Sequence, residues 1–331
     1  MKYIGLSFFI CLFAILQSCN KGSKPDPTPT PVIRPDTLPA GWTRKSADPY
    51  VGIYYGGDIF FNNNNLVGYL SDNNSATYKS IDGGATWHVI SYQGFGNMAV
   101  TNDGKAFFIN LNKDSIYRTI DGGTTITGYH VNATQVHDIF FADNNNGLCA
   151  SSAGIFNTSD GGGSWNNITA MPADIGTSIS TLFMLNNSNA WAVYRNRVFH
   201  TSGSLSSWVR DTIVTTNSTL GLSTVSATSA SVVYTSSYTG YLYKSTDGGS
   251  SFTLLKKFDN VWNNSAISDL HFVDANTGFI SMGSRIYKTI DAGNTWSQIV
   301  GLGTSDIIEI HFTDANHGWA CCYDGTVLKY N

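Results

Sequence analysis

The sequence is poor in charged residues, which make up 13% of its 331 positions, about half the share of an average soluble protein. Intrinsic disorder needs many charges and few aromatic residues, yet aromatic residues also reach 13% here. Ala, Glu, Lys and Leu do not dominate the composition, which argues against long helices and coiled coils. The formal net charge of -4 gives no electrostatic support for a nucleic-acid partner. The abundant residues are instead Ser, Thr, Asn, Gly, Tyr and Phe, which are typical of strands and tight turns.

Long apolar runs are scarce, and the longest lies at the N-terminus between Tyr3 and Leu16, just after Lys2. Its length and position indicate a signal peptide rather than a membrane span. The run ends in a Leu-Gln-Ser-Cys sequence that resembles a bacterial lipobox. The resemblance implies cleavage after Ser18 and lipidation of Cys19. The alternative is an ordinary secretory signal with an incidental cysteine.

The segment that follows has no apolar content over residues 24–31 and alternates proline with polar residues. Such a composition predicts an extended, semi-rigid tether. We therefore divide the chain into a lipoprotein signal peptide (1–18), a Pro/Thr-rich tether (19–40) and a globular head (41–331). Asn20 follows the lipidated cysteine, which under lipoprotein sorting favours the outer membrane of a bacterial cell envelope. The predicted membrane contact is the lipid anchor, and the head is predicted to be monomeric.

Cysteine is also scarce, with five in the whole chain. Cys11 leaves with the signal peptide and Cys19 is acylated, so that Cys149, Cys321 and Cys322 remain. All three lie in apolar, strand-like contexts, which favours buried free thiols over a disulfide or a metal site. No cofactor is predicted.

A ten-residue motif recurs along the chain at intervals of 39 to 44 residues. It reads aromatic, basic or polar, Ser/Thr, any residue, Asp, Gly, Gly, any residue, Ser/Thr, aromatic. Six copies, one of them decayed, begin at Tyr78, Tyr117, Phe156, Phe199, Tyr243 and Tyr287. A seventh copy begins near Leu328 and is cut off by the C-terminus. Most copies are preceded by a second motif, of the type Asp58-Ile-Phe-Phe followed by an Asn/Asp/Gly turn and another strand.

Each repeat thus supplies four strands, which we call A, B, C and D, and four-stranded repeats of about 40 residues are β-propeller blades. The seventh repeat lacks strand D, and the segment Gly41-Trp42-Thr-Arg-Lys after the tether looks like that strand. We therefore predict an all-β fold, a seven-bladed β-propeller of antiparallel blades whose last blade is closed by an N-terminal strand.

The recurring turn resembles the Asp-box of sialidase-type (BNR) repeats, and the second motif resembles that of photosystem II assembly factor-like propellers. The resemblance covers residues 41–331. It implies a structural role at the blade periphery for the turn aspartates, which are Asp82, Asp121, Asp160, Asp247 and Asp291. A short carboxylate can accept N–H groups of its own turn, which gives the same interpretation from the residues alone.

An enzymatic function is disfavoured. Sialidase chemistry requires an arginine triad, a Tyr nucleophile paired with Glu, and an acid/base Asp. The few arginines of the mature chain do not form a recognisable signature ahead of the first turn motif, and xyloglucanases pair two propellers where this chain has one. We predict a non-enzymatic protein-binding or assembly scaffold of the cell envelope. The alternative is a glycan-binding or glycan-cleaving propeller.

Acidic residues recur at the start of strand A, the innermost strand. They are Asp58, Asp138, Asp269 and Glu309, and His271 and His311 each follow an acid by two positions. One interpretation is a polar ring at the channel mouth that binds a cation or polar ligand. The favoured interpretation is that each acid caps its own blade, with the histidines taking the places of Phe60 and Phe140. The two histidines are therefore weak metal candidates.

A partner surface is predicted on the face that carries the D–A and B–C connections, because aromatic residues and a few arginines concentrate there. Tyr92 and Phe95 are assigned to a D–A connection and Tyr238 to a B–C connection. Scattered surface aromatics in an aromatic-rich chain are the alternative. The candidate partner residues, for a protein or a carbohydrate, are Tyr54, Tyr55, Trp262, Arg195, Arg197, Arg285 and Tyr323.

Overall fold

The computed structural model describes residues 38–46, 57–71, 76–110, 115–129, 135–169, 172, 179–201, 203–210, 221–258, 266–302 and 305–331. Leu38–Asn331 forms one compact unit. The predicted signal peptide, Cys19 and the tether up to residue 37 lie outside the described residues. Within the described ranges, no helix is long and apolar enough to cross a membrane.

The first three blades each contain four antiparallel strands in sequence order. Blade 1 consists of Asp58–Phe61 (β2), Gly68–Ser71 (β3), Thr77–Ser80 (β4) and His88–Ser91 (β5). Blade 2 consists of Phe95–Val100 (β6), Ala106–Asn110 (β7), Ile116–Thr119 (β8) and Thr127–Tyr129 (β9). Blade 3 consists of Val136–Phe141 (β10), Gly147–Ser151 (β11), Gly154–Thr158 (β12) and Asn166–Asn167 (β13).

The next three blades repeat this plan. Blade 4 consists of Thr181–Asn186 (β14), Asn189–Tyr194 (β15), Arg197–Thr201 (β16) and Trp208–Arg210 (β17). Blade 5 consists of Leu222–Ala227 (β18), Val233–Ser237 (β19), Tyr241–Ser245 (β20) and Thr253–Lys257 (β21). Blade 6 consists of Ile267–Phe272 (β22), Gly278–Met282 (β23), Arg285–Thr289 (β24) and Ser297–Gly301 (β25).

Blade 7 joins the two ends of the propeller and confirms the predicted closure. It consists of Ile307–Phe312 (β26), Gly318–Cys322 (β27), Thr326–Tyr330 (β28) and the N-terminal strand Trp42–Ser46 (β1). Strand β1 pairs antiparallel with β28 in a register that places Trp42 opposite Tyr330. The Trp42 ring is buried and lies edge-on to Phe312, as Trp87 lies edge-on to Phe61 in blade 1.

A phenylalanine in strand A explains the glycine that begins strand B. In blade 7, a Cβ added at Gly318 would lie 2.2 Å from the Phe312 ring. Gly68, Gly147 and Gly278 face the corresponding phenylalanines in the same way, with distances of 2.3 to 2.8 Å. The ring fills the space that a side chain would need, and so the strand A phenylalanine and this glycine occur together.

The same phenylalanines join neighbouring blades. Phe61 of blade 1 stacks on Trp319 of blade 7 with ring centroids 3.7 Å apart, and Phe312 stacks on Phe279 of blade 6 at 3.5 Å. The apolar clusters follow these seams: Ile109 and Ile116 of blade 2, for example, pack in one cluster with Ile139 of blade 3. The core of the molecule is therefore a series of layers between blades.

The turns between strands C and D, which we call the Asp-Gly turns, are fixed by their aspartates. In blade 1 the Thr86 N–H and hydroxyl donate to the Asp82 carboxylate at 2.9 and 2.6 Å, and the Ser80 hydroxyl donates at 2.8 Å. These bonds, led by that of the Thr86 hydroxyl, lower the pKa of Asp82 to about 2. The equivalent Ser/Thr contacts recur at Asp121, Asp160, Asp247 and Asp291. Each of these aspartate carboxylates therefore accepts hydrogen bonds from its own turn.

A basic residue of strand C reaches the Asp-Gly turn of the next blade. Lys79 of blade 1 donates to the Gly122 carbonyl at 3.1 Å, and Arg118 of blade 2 donates to the Gly161 carbonyl at 3.2 Å. The aromatic residue after the strand B glycine makes a parallel contact, because the Trp319 indole donates to the Gly83 carbonyl at 3.1 Å. The repeated motif thus couples neighbouring blades as well as shaping its own turn.

One residue placed in a loop by the sequence was assigned wrongly. Phe95, which we expected in a D–A connection, begins strand β6 and is fully buried against Phe108. Blade 2 has no aspartate and no Phe-Phe pair at this point, so its strand A lacks the second motif. Strand β18 of blade 5 escaped recognition for the same reason.

Candidate functional site: the central channel and the upper face

The seven A strands surround a central channel that encloses a cavity of about 600 Å³. Because strand A begins at the D–A connection, its first residues lie towards the face formed by the D–A and B–C connections, which we call the upper face. The A–B and Asp-Gly turns form the opposite, lower face. The predicted acids are near the start of strand A and thus lie at the upper end of the channel.

One residue from each A strand forms a ring at this upper end, which we call the polar ring. Its members, matched by the register of each strand, are Asp58, Asn97, Asp138, Thr181, Thr224, Asp269 and Glu309. Strand register shifts just before the ring residue in blades 2, 3, 5, 6 and 7. Such bulges turn a side chain out of the regular alternation, and here they lie directly before the ring.

The aspartates of the polar ring bond to the next blade, and this corrects the expectation that each caps only its own. The Met98 N–H of blade 2 donates to Asp58 Oδ2 at 2.7 Å, and the Leu182 N–H of blade 4 donates to Asp138 Oδ2 at 2.6 Å. The second oxygen of Asp138 accepts the N–H of the following residue, Ile139, at 2.8 Å. Each of these carboxylates therefore links two inner strands.

Burial controls the protonation of the polar ring. Desolvation raises the pKa of Asp58 to about 7, with the charges of Asp138 and Asp269 adding to the rise and the Met98 N–H opposing it. Burial likewise raises the pKa of Asp138 to about 6. Burial and the Asp269 charge raise the pKa of Glu309 well above its usual range, and the Glu309 side chain hydrogen-bonds to Asp269.

A second ring lies two residues deeper and includes Phe60, Phe140, Phe183, His271 and His311. The two histidines do occupy the places of the phenylalanines, and the His311 ring lies 4.1 Å from that of Phe60. His311 Nε2 lies 2.8 Å from the Phe61 carbonyl of blade 1, and His271 bonds to the backbone of Phe312. Burial lowers the pKa of both histidines, that of His311 to about 3, so both are neutral at physiological pH.

The histidine pair does not form a metal site with its neighbours. The His271 and His311 rings are 5.7 Å apart at a steep angle, and each histidine is engaged with a backbone group of the next blade. Among the described residues, no three His, Cys, Asp or Glu side chains are arranged to hold a metal ion.

The three remaining cysteines are buried. Cys321 lies opposite Glu309 in the blade 7 sheet and contacts the Gly57 carbonyl at 3.6 Å. Burial, together with the acidic ring charges, raises the pKa of the Cys149 and Cys321 thiols. Thiols in this state are poor nucleophiles.

The described part of the upper face carries four of the seven predicted partner residues. Tyr323 is 51% exposed, Arg195 is exposed, and Arg197 and Arg285 are half-buried at the ends of B–C turns. Tyr54, Tyr55 and Trp262 lie outside the described residues. Two further tyrosines of these connections are exposed, Tyr92 at 89% and Tyr238 at 55%, and Tyr238 also lines the channel.

Arg195 has an unusual backbone conformation for its residue type. Its φ is 56°, in the left-handed region that favours glycine, and Gly283 occupies the same turn position in blade 6 with a φ of 55°. The Arg195 carbonyl accepts the Leu222 N–H of blade 5 at 2.6 Å, and its guanidinium lies 5.1 Å from the Tyr194 ring centroid. The turn is fixed, and the side chain is held out at the surface.

The raised pKa of Asp58 predicts a pH-dependent stability that an Asp58→Asn variant removes. Between its ordinary value of 3.8 and about 7, the folded chain keeps a proton on Asp58 that the unfolded chain has lost. The stability contributed by Asp58 is thus present at low pH and is lost as pH rises towards 7. In urea unfolding from pH 4 to 8, the variant should gain stability over the wild type as pH rises and hold that gain above pH 7.

Asp82→Asn is the matched control, because hydrogen bonds lower the pKa of Asp82 to about 2. The stabilising contribution of Asp82 is present above its pKa in the unfolded chain and is lost as pH falls. Asp82→Asn should therefore be less stable than the wild type at neutral pH. If the difference in unfolding free energy between Asp58→Asn and the wild type stays constant from pH 4 to 8, the buried position of the Asp58 carboxyl is contradicted.

Comparison with solved structures gives several propellers of this architecture. YCF48 from Cyanidioschyzon merolae is 18% identical with a TM-score of 0.70, over 88% of this chain and 99% of that chain. A structure of YCF48 bound to D1 peptide is 17% identical with a TM-score of 0.69, over 89% and 99%. The GH74 xyloglucanase from Xanthomonas campestris is 14% identical with a TM-score of 0.68; the match covers 88% of this chain and about half, 54%, of the enzyme.

No family model matches the chain, and no curated protein does. At these identities the structural likeness establishes the fold alone. The chain is a seven-bladed β-propeller of four-stranded antiparallel blades, closed by its N-terminal strand.

Proposed function

We propose that this chain is a non-enzymatic lipoprotein of the bacterial cell envelope whose propeller binds a protein partner and acts as an assembly scaffold. The observation that carries the proposal is the upper face, where Tyr92, Tyr238, Tyr323 and Arg195 of four different blades expose aromatic and guanidinium groups. Tyr and Arg are the residue types enriched where binding energy concentrates in protein interfaces.

Two further features support the proposal. The sequence before the head resembles a lipobox that ends at Cys19, which would hold the propeller at a membrane, and Asn20 favours the outer membrane under the sorting rule for lipoproteins. A structurally similar propeller, YCF48, has been solved with a D1 peptide bound, so this architecture accommodates a peptide partner in that protein. The Asp-box resemblance of the turns fits a scaffold, since the turn carboxylates are occupied by their own backbone.

Affinity purification of the full-length chain from detergent-solubilised envelope fractions tests the proposal. A partner should co-purify in a fixed ratio, and a Cys19→Ser variant should move to the soluble fraction because it loses the anchor. Recovery of the chain alone after mild cross-linking would contradict the scaffold function, and a membrane-bound Cys19→Ser variant would contradict the lipid anchor.

Arg195→Gly is the sharpest substitution for this test. Glycine removes about 1 kcal/mol of left-handed backbone strain and restores a similar amount of unfolded-state entropy, so stability should hardly change. If Arg195 is a main anchor of the partner, binding should weaken about thirtyfold, which corresponds to a loss of about 2 kcal/mol. The matched control is Ile290→Ala, an equally simple truncation on the lower face at a residue 73% exposed, which should leave binding unchanged.

A glycan-directed propeller is the second candidate, favoured by the fold shared with a GH74 xyloglucanase. A glycan array combined with fluorogenic sialoside and xyloglucan substrates separates the two. Turnover would overturn the scaffold proposal, while glycan binding without turnover would indicate a lectin.

A further inference from the structure

One half of the lower face exposes large apolar side chains. Three isoleucines occupy the same position of the Asp-Gly turn, one residue before its aspartate, and each is at least 63% exposed: Ile81, Ile120 and Ile290. Elsewhere in the described part of the chain no isoleucine is exposed. Leu66 in the A–B turn of blade 1 is also exposed, and its carbonyl accepts the Gly83 N–H of the neighbouring Asp-Gly turn. We call the three isoleucines and Leu66 the apolar turn residues.

The same turn position is polar on the other half of the lower face. Ser159 of blade 3 and Thr246 of blade 5 are exposed where blades 1, 2 and 6 carry isoleucine. Their turns keep the same aspartate hydrogen bonds, so folding of the turn does not require isoleucine. Blade 7 lies between blades 6 and 1, and the apolar turn residues therefore lie on one arc of the ring. An exposed apolar patch confined to one side of a protein marks a contact with another protein or a membrane.

The N-terminal strand begins on the same arc. Trp42 lies opposite Tyr330, and Tyr330 lies opposite Gly318, the residue that follows the A–B turn of blade 7. Strand β1 therefore starts at the lower face. Leu38 packs against the cluster between blades 6 and 7. The preceding chain, with the predicted lipid anchor at Cys19, is thus attached to the propeller at the lower face, next to the apolar turn residues.

The predicted tether allows this face to meet the membrane but does not enforce it. In a polyproline II conformation, residues 20–37 would extend about 55 Å, so the anchor alone permits many orientations of the head. A preferred orientation needs an attraction of its own, and exposed isoleucines supply one when they leave water. Because they stand on separate turns of three blades, a fluid lipid surface can surround each of them at once.

The charges around the apolar turn residues are of both signs. The carboxylates of Asp82 and Asp121 are charged at neutral pH, since hydrogen bonds led by a threonine hydroxyl lower their pKa to about 2. Lys79 and Lys288 on the same arc donate to carbonyls of neighbouring turns. Attraction to anionic lipids depends on clusters of Lys and Arg, so a mixed surface of this kind has no strong preference for them. A membrane contact here would be apolar and insensitive to salt.

From this arrangement we infer that the lower face of blades 6, 7, 1 and 2 rests on the surface of the bilayer that holds the lipid anchor, with the apolar turn residues among the lipid headgroups. The inference rests on the proposed function, because it takes the anchor at Cys19 as given. It adds a second membrane contact and directs the upper face, with Tyr238 and Tyr323, away from the membrane towards a partner. Partner capture is carried out in detergent, without a bilayer, so Ile290→Ala remains a control there.

The test uses the full chain purified from envelope membranes and reconstituted into phosphatidylcholine vesicles. A nitrobenzoxadiazole fluorophore is attached to the new thiol of Ile81→Cys or Ile290→Cys; the native Cys149, Cys321 and Cys322 are buried and stay unlabelled. Spin-labelled lipids should quench the fluorescence at both positions roughly twofold or more, because interfacial apolar groups enter the boundary between headgroups and acyl chains. High salt should leave this quenching unchanged.

Thr246→Cys is the matched control, because it carries the label at the same turn position on the polar half of the lower face. We expect little quenching there. Combining Ile81→Ser with Ile120→Ser should reduce the quenching at Ile290→Cys, since two of the apolar contacts are removed. Serine already holds this turn position at Ser159, so the combined variant should fold, and its unfolding midpoint verifies this.

Equal quenching at Ile290→Cys and Thr246→Cys would overturn the inference. A label that is shielded from water but not quenched by lipid would show that a second copy, the tether or a partner protein covers these turns, and this also overturns the bilayer contact. If the chain floats with the vesicles and no position is quenched, the anchor of the proposed function stands and the face contact alone is overturned. A chain that does not float with the vesicles overturns both.

Discussion

Deletion of residues 38–46 from the full chain is expected to abolish the cooperative unfolding transition of the propeller. The deletion removes Trp42, whose burial against Phe312 and Tyr330 is worth about 3–5 kcal/mol on the scale of buried tryptophans. It also exposes the full edge of β28, which β1 covers over five residue pairs. Because native domains are stable by only about 5–15 kcal/mol, most of the stability should be lost.

The control for this experiment is deletion of nine tether residues, 23–31, which should leave the unfolding midpoint unchanged. A synthetic peptide with the sequence of residues 38–46, added to the shortened chain, should restore the transition by pairing with the open edge of β28. Circular dichroism and thermal unfolding measure both effects. A shortened chain that unfolds at the wild-type midpoint would show that the ring does not depend on its N-terminal strand.

Gly318→Ala is expected to cause the largest loss of stability of any single methyl addition in blade 7. The new Cβ would lie 2.2 Å from the Phe312 ring. That ring cannot move aside, because it is stacked on Phe279 at 3.5 Å and bordered by Trp42. Overpacking of this kind costs about 1–3 kcal/mol, and the fixed ring puts Gly318→Ala at the upper end of that range.

Gly301→Ala provides the comparison in the adjacent blade. Its Cβ would meet only the terminal amide of Gln298, at 2.7 Å, and that flexible side chain can rotate away. We expect a change within about 0.5 kcal/mol, as for ordinary surface substitutions. Urea unfolding of both variants measures the contrast, and equal effects would mean that the Phe312 ring is not held as the packing indicates.

Most of the fold could be predicted because its determinants repeat. The Asp-Gly turn and the Phe-Phe pair return at nearly constant spacing, and the missing seventh strand D located the ring closure at Trp42. Strands β6 and β18 escaped recognition because their inner residues are small or polar, as at Asn97 and Thr224. Their place in the ring is set by the neighbouring blades rather than by a motif of their own.

The positions of the acidic residues in the channel could be predicted from the sequence, but their hydrogen bonds and pKa shifts could not. The spacing of Asp58, Asp138, Asp269 and Glu309 placed them at equivalent points of the repeat. Their carboxylates bond to the next blade, and this contact depends on how the blades are arranged around the ring. The pattern within a single repeat carries no information about that arrangement. The raised pKa of Glu309 follows from burial beside Asp269, a contact between residues 40 positions apart.

The basic residue of strand C and the turn it reaches belong to different blades. The contacts between blades differ where either of the two is missing. Blade 4 has lost its Asp-Gly turn, and in blade 3 the position that would reach it holds Asn157 instead of a lysine or arginine. Blade 7 has no such turn, and Lys288 of blade 6 bonds to the Ala315 carbonyl at 2.7 Å instead. Both donor and acceptor are therefore replaced between blades 3 and 4, whereas between blades 6 and 7 the lysine is kept and bonds to a different turn. In this molecule each joint between two blades is thus built half from one copy of the repeat and half from the next.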